Sequence, residues 1–377
     1  KCPWMKNYWR NFGVRLSSWK RWQKPLKFLP QKRFHCVLLA RWSPFAVTIE
    51  TKRKQMETLF VPQMAKFRQR NETLSVTLNG RSRSLPINRV AHLVLLAEGQ
   101  LSTKLLELCG KHGVRLSVFD YYGYFKGSFE PIAQSPSGQV KLEQAKLLLD
   151  DGHRLALARE ILRGAFHNMV ANLQYYAYRD RPALLSVVQK LRHLAAKLDK
   201  CKSTPEIMGY EGNAHQLYYA AWKQIDPDLD FGKRVRRPPN NPVNCLISFL
   251  NQLTYTVVRH ELAKTHLEET FSFLHSPGAG RASLSLDLAE IFKPLLSDAL
   301  IFRMIRKKMT DTGWFEQQKG VCLLTETGRR NVAEQFSLRL EEHVQDRSYR
   351  EWIYRQALAI ERHALGVAEY EAFKRKA

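Results

Sequence analysis

Pro131-Ile132-Ala133-Gln134-Ser135-Pro136-Ser137-Gly138 decides how the chain divides. Two prolines, two serines and a glycine in eight residues read as a linker, and the hydrophobic spacing changes across it. Upstream the pattern is that of short strands. Residues 74–78 and 81–85 flank Asn79-Gly80, the strongest short hairpin signal, and 90–96 and 114–119 are further apolar runs. Between them Ser102, as N-cap, starts a short helix through Lys111 that Gly113 ends. Downstream, apolar residues recur at three- and four-residue spacing over 140–149, 153–178 and 183–200. Ser203-Thr204-Pro205-Glu206 opens another helix with proline in its first turn, which places Glu211 in or just after it. After an irregular loop at 226–241, Asn241-Pro242 opens a helix expected over 243–268. A further helix is expected over 287–309, kinked at Pro294, and residues 336–372 read as an exposed C-terminal pair of helices. The expected fold class is α+β: a β-rich region at 56–131, a linker at 132–139, and a mostly α-helical domain at 140–377.

The chain has 377 residues, long enough for two domains, and a hydrophobic share of 44% is enough for a proper core in each. Its 60 Lys and Arg against 35 Asp and Glu give a net charge of +25, which points to a polyanionic partner. Residues 1–55 carry 14 Lys or Arg against the single Glu50, an excess of 13, together with five of the eight tryptophans. Tryptophan interleaved with basic residues offers stacking and phosphate contacts to RNA; a basic linker has the same composition. Six cysteines show no CxxC pair and no zinc spacing, so they are expected to be buried free thiols in a reducing cytosol. No apolar run approaches 18 residues, so no membrane helix is expected. The N-terminus has tryptophans and charges where a signal peptide would be apolar, and the expected location is cytoplasmic. The chain begins Lys1-Cys2-Pro3 and is read as a piece of a longer polypeptide.

Two stretches carry chemistry. His275-Ser276-Pro277-Gly278-Ala279-Gly280-Arg281 runs into Ser283-Leu284-Ser285-Leu286-Asp287-Leu288-Ala289-Glu290. If Asp287 opens a helix, Asp287 and Glu290 share a face one turn apart, although that spacing alone also fits a solvated face. Upstream, Met208-Gly209-Tyr210-Glu211-Gly212-Asn213-Ala214-His215 sets a single carboxylate among small and aromatic residues. A buried carboxylate needs a cation or hydrogen-bond donors. Glu211, His275 and Glu290 together can bind that cation, and a mixed nitrogen and carboxylate set suits Mn²⁺ or Mg²⁺ better than zinc. His215, four residues after Glu211 and on the same helical face, competes as a ligand or packs behind the site.

These stretches, with Arg237-Pro238-Pro239-Asn240-Asn241-Pro242-Val243-Asn244 between them, resemble the CRISPR adaptation integrase from about Met56 to the C-terminus. That family inserts new spacers into a CRISPR array by metal-dependent chemistry. The resemblance implies an N-terminal β-sandwich used for dimer formation, whose aromatic run 121–129 packs or contacts nucleic acid, and a helical catalytic domain. It implies Glu211, His275 and Glu290 as ligands of Mg²⁺ or Mn²⁺; the last is usually aspartate in the family. Asp287, the accompanying acid, is expected to orient a ligand or Arg281 or to bind a second metal; a carboxylate favoured by the helix dipole is the plain alternative. The implied reaction is attack of a protospacer 3′-OH on the phosphodiester at the repeat boundary. Arg234, Arg236, Arg237 and Arg281 are candidates for holding phosphate. Asn244 recurs in the family motif, and Tyr218 and Tyr219 stack on a splayed DNA end or belong to the core.

The implied partners are protospacer and repeat DNA, a second copy of the chain, and the small second adaptation protein. Trp19-Lys20-Arg21-Trp22-Gln23-Lys24-Pro25, preceded by Val14-Arg15-Leu16, is similar to the closing segment of maturase-type domains that follow group II intron reverse transcriptases. The combination resembles a reverse transcriptase fused upstream of the integrase, with RNA as a further source of spacers. Two rivals remain open on the sequence. One is a metal-dependent nuclease acting alone on branched DNA, which would cleave without joining. The other is a non-catalytic nucleic-acid scaffold, indifferent to loss of Glu211 or His275.

Overall fold

The computed structural model describes residues 57–120, 122–131, 137–278 and 281–376; the basic segment 1–55, with Cys2 and Cys36, lies outside them. Eight strands form two four-stranded sheets. The first holds β1 (Glu57–Val61), β5 (Val90–Leu95), β7 (Arg115–Phe119) and β8 (Phe125–Phe129) in that order. Its first three strands are parallel and β8 is antiparallel to β7. The second, in the order β4 (Arg81–Pro86), β3 (Thr73–Leu78), β2 (Ala65–Gln69) and β6 (Gly99–Leu101), pairs antiparallel except for the parallel β2–β6 edge. The Asn79-Gly80 turn forms where expected. Leu78 pairs with Arg81, and both turn residues have positive φ, 48° and 76°, as a two-residue hairpin loop of right-handed strand twist requires.

Helix α1 (Thr103–His112) starts at Ser102, whose side chain accepts from the Leu105 amide, and ends on left-handed Gly113. It closes one core with Phe67, Leu74 and Val76 of the second sheet and Leu93, Leu95 and Leu116 of the first. Successive side chains of a strand point to opposite faces. The alternate residues Val94 and Leu96, with Phe60 and Phe119, therefore face away and join the core of the helical region. Burial on both faces explains why 90–96 is apolar at every position except His92. The architecture is α+β as expected, a sheet-containing N-terminal region followed by a mostly helical remainder.

The helical part runs α2 (Gly138–Leu149), α3 (Asp151–Ala177), α4 (Leu184–Lys197), α5 (Thr204–Ile225), α6 (Pro242–Leu262), α7 (Ser283–Lys293), α8 (Ala299–Arg306), α9 (Glu326–Glu341) and α10 (Tyr349–Ala364). The helix opened by Asn241-Pro242 stops at Leu262, six residues short of expectation. There the Thr265 hydroxyl caps the Leu262 carbonyl, and buried Gln144 of α2 bonds the backbone of Glu268 and Phe271 in place of helical partners. The helix expected from Asp287 begins four residues earlier, at Ser283. Pro294 does not break it, because Pro294–Asp298 forms a wide π-type turn between α7 and α8, and such bulges favour functional sites.

The C-terminal pair is not exposed. Phe336, Tyr349, Ile353, Ala357 and Ile360 are fully buried, and the Arg350 charge at the start of α10 is buried with them, paired with Glu341. A small hairpin, β9 (Phe315–Gln318) with β10 (Val321–Leu324), was not expected; its turn residues Lys319 and Gly320 both have positive φ. A last short pair, β11 (His343–Val344) and β12 (Arg347–Ser348), joins α9 to α10. Cys109, Cys201, Cys245 and Cys322 are buried free thiols, as expected.

Candidate active site

Ser203 caps α5 by accepting from the Glu206 amide, and Pro205 fixes its first turn. Two turns on, Glu211 and His215 project from one face at i and i+4. Helix α7 crosses beside them and presents Asp287, Glu290 and Lys293 at three-residue steps. His215 Nε2 lies 3.1 Å from Glu211 Oε1 and 3.3 Å from Glu290 Oε2. The Lys293 ammonium donates to Glu290 Oε1 at 2.5 Å, and both groups are buried. Among the described residues, the donor atoms of Glu211, His215 and Glu290 are the three that lie within 4.8 Å of one another.

The electrostatics follow from this geometry. Burial pulls the His215 pKa down, but hydrogen bonds to Glu211 and Glu290 outweigh it and push it up to about 9. Burial likewise raises the Glu290 pKa, yet Lys293 and His215 together hold it well below the usual carboxylate range. Lys293, desolvated but held by Glu290, stays above its ordinary value. Asp298, at the end of the π-type turn, is the exception: burial dominates and pushes it up to about 7. Tyr219 stacks on the His215 ring at 5.5 Å, while both carboxylates meet the same nitrogen, Nε2, and Nδ1 is buried without a hydrogen-bond partner.

His275 enters from the segment that follows α6 and is placed by Asp287. The Asp287 carboxylate is fully buried and accepts from the amides of Phe273, Leu274 and His275 at 2.7, 2.9 and 3.0 Å. It also accepts from His275 Nδ1 at 2.8 Å. A carboxylate only accepts, so Nδ1 carries the proton and Nε2 faces away from Asp287. Burial lowers the His275 pKa and the Asp287 bond more than offsets it; Glu290 adds to the rise and Lys293 opposes it. The structure joins Glu211 to Glu290 through His215, and it ties His275, expected as a ligand, to Asp287. It sets His215, not His275, in the tight three-donor group.

The arginines divide. Arg234 points inward, donating to Asn244 Oδ1 at 3.0 Å and Ser248 Oγ at 2.9 Å, while Asn244 in turn bonds Lys233, Val235, Asn240 and Asn241. Asn244 therefore fastens the loop rather than facing solvent. Arg236, Arg237 and Arg281 are exposed. Tyr218 is fully buried against Trp222 and Phe302 and belongs to the core. Sequence reading passed over Lys293 and Asp298. The available signal was a single lysine inside the apolar run Ile291-Phe292-Lys293-Pro294-Leu295-Leu296, three residues after Glu290.

Two carboxylates and an imidazole converging in a recess are the donors a hard divalent ion takes from a protein, with further positions left for water or phosphate oxygens. The residues present fit Mg²⁺ or Mn²⁺.

The fold is that of the nucleases and integrases of CRISPR adaptation. The family described as CRISPR associated protein Cas1 matches residues 59–337, and the chain belongs to it. A CRISPR-associated endonuclease Cas1 of Moorella thermoacetica is 35% identical over 325 residues, 85% of this chain and 99% of the relative. One from Haloferax volcanii is 36% identical over 303 residues, 78% and 91% of the two chains. Among solved structures, a Cas1 protein from Thermotoga maritima superposes with a TM-score of 0.76 at 28% identity, covering 85% of this chain and all of the other. The fold is shared as well by a casposase bound to integration product, with a TM-score of 0.74, 19% identity, and coverage of 85% and 93%. It is shared also by the chain of a Cas6-RT-Cas1–Cas2 complex, with a TM-score of 0.76, 19% identity, and coverage of 88% of this chain and 37% of that one. Among the described residues no helix is long and apolar enough to cross a membrane.

Proposed function

We propose that this chain is the spacer-integrating member of its family, joining a protospacer 3′-OH to the phosphodiester at a repeat boundary. The observation that carries the proposal is the convergence of Glu211, His215 and Glu290 on one point, with His275 held by Asp287, one helical turn before Glu290. Glu211, Glu290 and one or both histidines would hold Mg²⁺ or Mn²⁺, which when bound activates the nucleophile and stabilises charge on the phosphate oxygens. Asp287 keeps His275 in a single tautomer and orientation, as an outer carboxylate does for a ligating histidine. Lys293 keeps Glu290 ionised and holds one of its oxygens, leaving the other toward His215. Arg236, Arg237 and Arg281, all exposed, would grip phosphates along the strand. No side chain has to form a covalent intermediate.

The fold neighbours support the wider reading: one is a casposase bound to integration product, and another sits in a complex with a reverse transcriptase and Cas2. On this reading the chain works with DNA, a second copy of itself and the small second adaptation protein. Its sheet region, read as a sandwich over the core the two sheets share, forms the dimer contact, and the basic segment 1–55 continues from an upstream reverse transcriptase that draws spacers from RNA.

The test is strand transfer. Labelled duplex with free 3′-OH ends is incubated with a repeat-bearing plasmid, the second adaptation protein and Mn²⁺ or Mg²⁺, using wild type and Glu290→Ala. The expected result is label joined at the repeat ends, falling by at least about 10³-fold in the variant, since a bound ion supplies several kcal/mol. Cleavage without joining would establish a stand-alone nuclease instead, and tight binding without reaction a scaffold.

A further inference from the structure

Helix α4 is amphipathic in an unusual way. Leu184, Val187, Val188 and Leu191 are buried, while its outer face carries Lys190, Arg192 and His193. Lys197 follows at its end and Lys200 in the next turn, and no acid occurs between Asp180 and Asp199. Some other surface cations are answered by carboxylates, as Lys111 is by Glu72, Lys141 by Glu268 and Arg347 by Glu351. Among the described residues, Lys190, Arg192, Lys197 and Lys200 pair with none, and Asp199 is taken by Arg163. Unanswered like charges on one helical face weaken the helix by a few tenths of a kcal/mol per pair, a loss that a polyanion laid along the face reverses.

Spacing gives the face a direction. Ser186, Lys190, His193, Lys197 and Lys200 follow one another at four, three, four and three residues, so they form one ridge. From Lys190 to Lys200 the ridge runs about 15 Å, roughly four steps of a DNA strand at its rise along the duplex axis. The helix carries no tyrosine, tryptophan or phenylalanine, which removes the stacking platform that single strands use. A rigid row of lysines without aromatics suits the phosphates of a duplex. The ridge also leads to the site: the turn after α4 opens α5, the helix that holds Glu211 and His215.

We propose that the α4 ridge is a second, sequence-independent contact for double-stranded DNA, holding the duplex that flanks the strand in the active site. Its place beside the joined strand rests on the integrase reading; its affinity for duplex does not. The experiment measures binding of a labelled duplex of about 40 base pairs by fluorescence anisotropy across a salt series, without divalent metal. It compares wild type, the triple variant Lys190→Gln, Lys197→Gln, Lys200→Gln, and a control triple with the same charge change at exposed sites, Lys307→Gln, Lys308→Gln, Lys319→Gln. Each phosphate contact adds about 0.9 to the slope of log affinity against log salt. The ridge variant should lose about 2.7 of that slope and about tenfold in affinity at moderate salt, with wild-type melting behaviour, while the control keeps the slope. An unchanged slope, or an equal loss in the control, overturns the proposal. So does an RNA duplex that competes more than tenfold better than DNA. A protein that never joins strands but shows the slope loss would refute the integrase reading and leave the ridge standing.

Discussion

Two buried clusters in this molecule use the same side chains to opposite effect. At the candidate active site His215 sits between Glu211 and Glu290, and His275 rests on Asp287. Where the first sheet meets the helices, His92 of β5 and His260 of α6 stack with ring centroids 4.5 Å apart. They are faced by Arg115 of β7, Arg350 of α10 and Lys264 after α6. His92 Nε2 meets the Ser117 hydroxyl at 2.8 Å, but His92 Nδ1 and both His260 nitrogens have no hydrogen-bond partner. Glu261, the acid beside the pair, bonds Lys264 and lies 3.7 Å from Arg350. Burial pulls every one of these imidazoles toward neutrality. Carboxylates reverse that at the site, whereas cations reinforce it at the joint, so His92 and His260 fall well below the ordinary histidine value. Neighbours, not depth, decide the charge.

The sharpest break in this comparison comes from removing the anion at the site. Glu290→Ala leaves the buried Lys293 ammonium and the His215 imidazolium facing Glu211 alone. Breaking a buried pair from one side costs about 3–5 kcal/mol, and denaturant unfolding of the metal-free protein should show that loss. Adding Lys293→Met removes the stranded charge and should recover much of it. A Glu290→Ala protein as stable as wild type would mean that the pair does not organise the site.

Much of the site was legible because its carriers are local. Glu211 stands out among Gly, Ala and aromatic residues, and Asp287 and Glu290 mark one helical face at i and i+3. The family motif supplied the link between stretches that are 75 residues apart. What stayed hidden was tertiary. His215 and His275 carry no local sign of which one faces two glutamates, and that depends on how α7 crosses α5. Arg234 reads as another basic loop residue until Asn244 and Ser248 are seen to hold it. Strands β3, β4, β5 and β7 and the Ser102 and Ser203 caps were readable from spacing, whereas β2, β6 and the β9–β10 hairpin were not. The end of α6 was not, because Gln144, more than a hundred residues away, takes over the backbone that a longer helix would have used. The histidine joint was invisible for the same reason: His92 lies in an apolar strand and His260 in an apolar helix, and neither period shows that they stack.

The joint yields a pH test whose sign is fixed. A histidine held neutral in the folded state binds no proton as the unfolded chain takes one up near pH 6.5. Stability is therefore fully present above that pH and falls as the pH drops below it, by about 1.4 kcal/mol per pH unit for each such group. His260→Phe should flatten the slope of unfolding free energy between pH 6 and 5 by about that amount. At pH 8 it should change stability by less than about 1 kcal/mol, because a ring of similar shape replaces two unpartnered nitrogens. A variant as acid-sensitive as wild type would show that protons reach the joint in the folded state.

The smallest effect isolates what holds the cations in place there. Arg350 donates from Nη1 to the Thr58 hydroxyl at 2.7 Å and from Nε to Glu341 at 2.6 Å, so β1, α9 and α10 meet on one guanidinium. Thr58→Val keeps the shape and removes one acceptor, and since Glu341 still anchors the group the loss should be about 1 kcal/mol. If the Arg350 charge is what keeps His260 neutral, loosening it should also let His260 take up a proton more readily. The acid slope of Thr58→Val should then lie between those of wild type and His260→Phe. A Thr58→Val protein that loses stability equally at every pH would separate the hydrogen bond from the electrostatics and confine the role of Arg350 to packing.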